Sequence, residues 1–84
     1  MTYLWTPGQR IQVTLDDWGA PLSFTWSGHG HTVGGVAKRW RVDEEWWQAR
    51  IWREYFKLYT TSGLLVIIYR DFVADQWYLQ RLYD

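Results

Sequence analysis

A chain of 84 residues with eight tryptophans, six tyrosines, three phenylalanines and no cysteine reads as one small domain. Its core must be built from rings that each bury on the order of 150–250 Å², and a disulfide framework or a thiolate metal site is excluded. Nine basic and nine acidic side chains cancel, so only local segregation of charge would support a nucleic-acid partner.

The amino terminus has no basic segment ahead of an apolar core, and the longest apolar run, Leu64–Tyr69, is too short to span a bilayer. A cytoplasmic protein without membrane association is expected. Residues 1–9 read as a flexible lead-in containing the turn Thr6-Pro7-Gly8, because proline fixes φ and glycine permits positive φ. Arg10–Leu15 alternates, with Ile11, Val13 and Leu15 on one face, and predicts a half-buried first strand. Beyond the turn residues Asp16–Pro21, Leu22–Trp26 alternates again and offers Leu22, Phe24 and Trp26 to the core. The two strands make an antiparallel hairpin.

Ser27–His31 is a glycine-bracketed turn, and Thr32–Val42 resumes extended structure with a bulge or sharp bend at Gly34-Gly35. After the bend, Val36, Lys38, Trp40 and Val42 share one face, and Ala37, Arg39 and Arg41 the other. Asp43–Gln48 reads as an N-capped helical turn or a wide connection. Ala49–Tyr59 is the predicted central strand. Its even positions, Arg50, Trp52, Glu54, Phe56 and Leu58, become apolar toward the end, whereas its odd positions, Ile51, Arg53, Tyr55, Lys57 and Tyr59, interleave cations with tyrosines. Thr60–Gly63 fits a hairpin turn with glycine at the left-handed position. Leu64–Arg70 is apolar on both faces, so it lies inside the sheet or against a partner. Asp71–Asp75 is a loop, and Gln76–Tyr83 is the last strand.

The predicted fold is all-β: an antiparallel meander of about six strands forming a small barrel or strongly curved sheet, with at most one short helical turn. Val13, Phe24, Trp26, Trp40, Phe56, Leu58, Val66, Ile68 and Leu79 are its expected core.

Sites for chemistry are few. His29 and His31, two apart in a turn, could join Asp16 or Asp17 at a metal, but exposed turn residues explain them as well. Asp43, Glu44 and Glu45 could do acid–base work, or cap a turn. No nucleophile is paired with histidine in a known motif, and Gly28-His29-Gly30 and Gly34-Gly35 lack the context of a phosphate loop. No catalytic, cofactor-binding or metal-ligating residue is therefore assigned, and no enzyme is expected.

Two surfaces remain. Lys38, Arg39, Arg41, Arg50, Arg53 and Lys57, interleaved with Trp47, Tyr55 and Tyr59, could gather on one sheet face and hold single-stranded DNA; the alternative is an ordinary solvated face of cation–π contacts and ion pairs. Leu65, Ile67, Tyr69, Phe72 and Val73 could form an apolar interface for a protein partner or a second copy of the chain; the zero net charge favours this protein-interaction reading, with single-stranded DNA binding as the alternative.

From Trp26 onward a family likeness accumulates. Trp26-Ser27-Gly28, Val33, Trp40-Arg41, Trp46-Trp47, Arg53-Glu54-Tyr55-Phe56, Gly63, Tyr69-Arg70-Asp71 and Trp77-Tyr78-Leu79 resemble the small uncharacterised bacterial domain encoded beside, or fused to the carboxyl end of, ImuB-type Y-family DNA polymerases. The likeness covers roughly residues 20 to 84. His29 and His31 stand where that family has an arginine and an aromatic, and Asp75 where a hairpin glycine is usual. The resemblance implies an accessory module in DNA repair or translesion synthesis, with the polymerase or another repair protein as partner.

Overall fold

The computed structural model describes residues 2–47 and 49–83, with Trp46 described by its backbone alone. Strands β1 (Thr2–Leu15), β2 (Pro21–Trp26), β3 (His29–Trp46), β4 (Ala49–Thr60), β5 (Leu65–Asp71) and β6 (Gln76–Tyr83) form an antiparallel meander, and β1 returns to pair with β6 and close the ring. The all-β meander read from the alternation is the fold. No helix among the described residues is long and apolar enough to cross a membrane.

Closure is uneven because two strands each serve two neighbours in succession. β1 pairs β6 as far as Ile11 and β2 from Gln12; β3 pairs β2 over His29–Thr32 and β4 from Val33 onward. Register breaks at Gly34 and again at Ala37, so the glycine pair does mark a bulge. A Cβ on Gly35 would overlap the Tyr59 ring, which lies across the strand there.

Inside the ring Ile11, Phe24, Phe56, Leu58, Val66, Ile68, Leu79 and Leu82 form the core, with Trp5, Val13, Trp26, Val33, Leu64 and Trp77 packed around it. Of the residues expected inside, Trp40 lies outside this cluster and Leu22, read on the same alternation as Phe24, is 49% exposed. The second break in β3 removes Trp40: Val36 stands opposite Leu58, but with Ala37 bulged out, Lys38, Trp40 and Val42 stand opposite Lys57, Tyr55 and Arg53 on the outer face. A one-residue bulge exchanges the faces of everything beyond it.

Two further expectations are corrected. The lead-in is strand from Thr2: Thr2–Leu4 pairs with β6, and pairing resumes at Gln9 opposite Leu79. The intervening bulge brings Gly8 so close that a Cβ would stand 3.0 Å from both the Tyr69 hydroxyl and the Tyr78 Cβ. Asp43–Trp46 also continues as strand, and β3 and β4 pair out to Trp46 opposite Ala49; Gln48 lies outside the described residues. Turn chemistry otherwise follows the reading, with Gly63 at φ 94°. Asp75 takes φ 54°, a left-handed position where glycine would be unstrained and aspartate is tolerated.

Candidate functional site

The outer face of the sheet carries a row of rings. Trp40, Tyr55, Tyr69 and Tyr78 are successive cross-strand partners on β3, β4, β5 and β6. Their centroids are 5.2, 5.1 and 5.2 Å apart, close to the strand spacing of about 4.8 Å that places them. The row continues onto β1 as Arg10, the partner of Tyr78.

Cations flank it on both sides. Along one side run Lys38, Lys57, Ile67 and Arg81, each opposite the next; along the other run Val42, Arg53, Asp71 and Gln76. Their charges rest on rings: Lys38 Nζ is 5.3 Å from the Trp40 centroid, Arg53 Cζ 4.7 Å from Tyr69, Lys57 Nζ 5.4 Å and Arg81 Cζ 5.6 Å from Tyr83. Arg53 also donates to the Tyr55 hydroxyl and Arg81 to the Tyr83 hydroxyl, both at 3.2 Å. The Nε atoms of Arg53 and Arg81 are buried with no hydrogen-bond partner among the described residues.

Together these groups form a second core on the outside of the barrel. Tyr55, Ile67 and Tyr69 are 8, 8 and 4% exposed, and Trp40, Val42, Tyr78 and Tyr83 pack against them. Burial pulls the Arg53 guanidinium down, but its hydrogen bond to Tyr55 and the nearby phenols and Asp71 outweigh that and leave it above its ordinary value. Burial holds the Tyr69 hydroxyl above its usual 10.0 despite the pull of Arg53. At neutral pH Arg53 is therefore a cation resting on the neutral Tyr69 ring.

The opposite face spends its cations on carboxylates. Arg39 and Arg41 both donate to Glu54, at 2.9 and 2.7 Å; Arg50 pairs with Asp43 at 3.4 Å and Arg70 with Asp75 at 3.0 Å. Burial pushes the Glu54 carboxyl up, but the two arginines more than offset it and hold it below its ordinary value. Among the described residues, Arg10, Lys38, Arg53, Lys57 and Arg81 enter no salt bridge.

The structure therefore divides the basic and aromatic set read from the sequence. Lys38, Arg53, Tyr55 and Lys57 come together, with Tyr59 at the upper edge opposite Leu65. Arg39, Arg41 and Arg50 face the other way, opposite Phe56, Glu54 and Glu45. Trp47 stands at the hairpin tip, 88% exposed. Sequence reasoning missed Arg10, Trp40, Tyr69, Tyr78 and Arg81 as members of this face. Tyr78 and Arg81 differ in parity and share a face only because β6 also bulges, between the pairs Ile68–Leu79 and Ile67–Arg81.

The apolar stripe behaves differently from its reading. Ile67 and Tyr69 are covered by the chain's own rings and cation stems, so no exposed stripe runs along β5. Phe72 packs on Trp52 at 4.8 Å, and only Val73 is strongly exposed, at 62%. Among the described residues no three His, Cys, Asp or Glu side chains cluster as a metal site; His31 instead stacks on Phe24 at 5.1 Å. Comparison of the chain with protein-family models, with curated proteins and with solved structures found no match.

Proposed function

We propose that this chain is a non-catalytic accessory module that binds single-stranded nucleic acid through the phosphate chain, using the outer face of rows Lys38–Arg81 and Trp40–Arg10. The observation that carries the reading is Lys38 directly opposite Lys57. Like charges facing each other across a strand pair are destabilising, and no carboxylate bridges them among the described residues. Their ammonium groups rest on Trp40 and Tyr83, and a phosphate on each supplies the counter-charge that the chain does not. Arg53 and Arg81, oriented by tyrosine hydroxyls, supply further phosphate donors.

Base stacking has a smaller part than the sequence suggests. The Tyr55 and Tyr69 rings are buried and Tyr69 already carries Arg53, which leaves the half-buried Trp40 and Tyr78 at the ends of the row to meet bases. The family resemblance supplies the setting: DNA repair or lesion bypass beside a Y-family polymerase. Anisotropy of a labelled oligonucleotide at low salt tests the reading. Binding weakened by Lys57→Ala is expected, and absence of binding where charges are least screened refutes it.

A second reading, docking onto a protein partner such as that polymerase, is favoured by a different observation. Trp18, Trp47 and Val73 are 85, 88 and 62% exposed, and the hairpins carrying them, β1–β2, β3–β4 and β5–β6, all turn at the same end of an antiparallel meander. Exposed tryptophans are frequent anchors of protein interfaces. Co-purification with a Y-family polymerase that is lost on Trp47→Ala but unaffected by Lys57→Ala would assign the partner to that end.

A further inference from the structure

At the Arg10 end of the ring row the surface dips into a cleft of about 270 Å³ lined by Arg10, Ile11, Gln12, Thr25 and Gln76. It forms where β1 changes partners: Ile11 is the last residue paired to β6, opposite Trp77, and Gln12 the first paired to β2, opposite Thr25. Gln76, at the start of β6, stands at the end of the row that begins with Val42 and Arg53.

Four of the five lining side chains are hydrogen-bonding groups, and Arg10 is joined to the ladder through Tyr78. Two carboxamides each offer donors and an acceptor, threonine offers both, and the guanidinium offers a fork of donors. Such a mixture is poorly suited to phosphate, for which one cation and several acceptors compete. It suits the edge of a heterocyclic base, where donors and acceptors alternate; glutamine pairs bidentately with adenine and arginine with guanine through their N6/N7 and O6/N7 edges. The volume lies just under the range of about 300–1,000 Å³ that holds drug-sized ligands, which is room for a single base. Between Arg10 and Gln12, Ile11 is 4% exposed and part of the barrel core, which ties the strand carrying the cleft to rigid structure.

We infer that this cleft receives a single unstacked purine base from a strand whose phosphates lie along the adjoining cations. The inference rests on the nucleic-acid reading above and adds to it a site of base preference. Arg10, Gln12 and Gln76 are positioned to read the base edge, and Thr25 closes the far side.

The experiment compares labelled oligothymidylate with the same strand carrying one adenine or one guanine, by anisotropy, for wild type, Gln12→Ala and Gln76→Ala. Both glutamines are partly or fully exposed, so the variants should melt like wild type, which circular dichroism checks. Wild type should bind a purine-containing strand about tenfold more tightly, and each glutamine variant should lose most of that preference while keeping its affinity for oligothymidylate. In parallel, adding dAMP or dGMP should shift the side-chain amide signals of Gln12 and Gln76 in a ¹⁵N–¹H spectrum. Oligothymidylate binding with no purine preference and unmoved glutamine signals overturns the cleft and leaves the phosphate-binding face standing. No binding of any strand at low salt overturns both.

Discussion

Phe56, Gly8 and Glu54 each test one contact that holds the two sides of the sheet in place. The Phe56 ring is 0% exposed at the centre of the barrel, so Phe56→Ala should lower the unfolding free energy by about 3–5 kcal/mol; a loss under about 1 kcal/mol in urea titration would mean that the faces of β4 are misassigned. Gly8 tests the outer cluster, because a methyl group there meets Tyr69 and Tyr78 at 3.0 Å and the Leu79 carbonyl at 3.1 Å. Gly8→Ala should destabilise by about 1–3 kcal/mol and perturb the tyrosine near-ultraviolet dichroism. Glu54 tests the inner face through pH. Its pKa is lowered from 4.5 in the folded state, so its stabilisation is fully present above that value and is lost as pH falls through the depressed one. Urea unfolding should give wild type an advantage over Glu54→Gln at neutral pH that shrinks below pH 4.5. An advantage that stays constant into strong acid would contradict the ion triad.

At the scale of strands, bulges decide which side chains meet. Alternation correctly paired Phe56 with Leu58 and set Val66 and Ile68 opposite Ile67 and Tyr69, because β4 and β5 run through those residues without a slip. It failed for Trp40 and for the partnership of Tyr78 with Arg81, because Ala37 and Gln80 each add a residue to one strand only, and neither carries a compositional sign of a bulge. Gly34-Gly35 in β3 and Pro7-Gly8 in β1 did mark theirs. Asp43–Trp46 was also misread, since acidic residues ahead of bulky ones resemble a capped turn, whereas here Asp43 and Glu45 stand across from Trp52 and Arg50 in a ladder. Removing Ala37 tests the bulge directly. In-frame deletion should turn β3 into a regular ladder that keeps Val36 opposite Leu58 and Lys38, Trp40 and Val42 opposite Lys57, Tyr55 and Arg53, so the variant should still unfold cooperatively with its outer rings in place; loss of the tyrosine near-ultraviolet dichroism would contradict this register.

For the whole molecule, a net charge of zero conceals a strong separation. Asp16, Asp17, Asp43, Glu44, Glu45, Asp71 and Asp75 sit in or beside the three hairpins that turn at one end, whereas Arg10, Lys38, Arg53, Lys57 and Arg81 occupy the middle of one face. Composition left only local segregation of charge as support for a polyanionic partner, and the pairing register sorts the cations into bridged and unbridged sets. The separation gives the central claim its most direct measurement: the salt dependence of oligothymidylate affinity for wild type and for a Lys38→Ala, Lys57→Ala double variant. If both lysines hold phosphates, the log–log slope of wild type should be steeper than that of the double variant by about 1.4, at roughly 0.7 for each contact removed. Equal slopes for the two proteins, or no binding by wild type at low salt, would contradict the account.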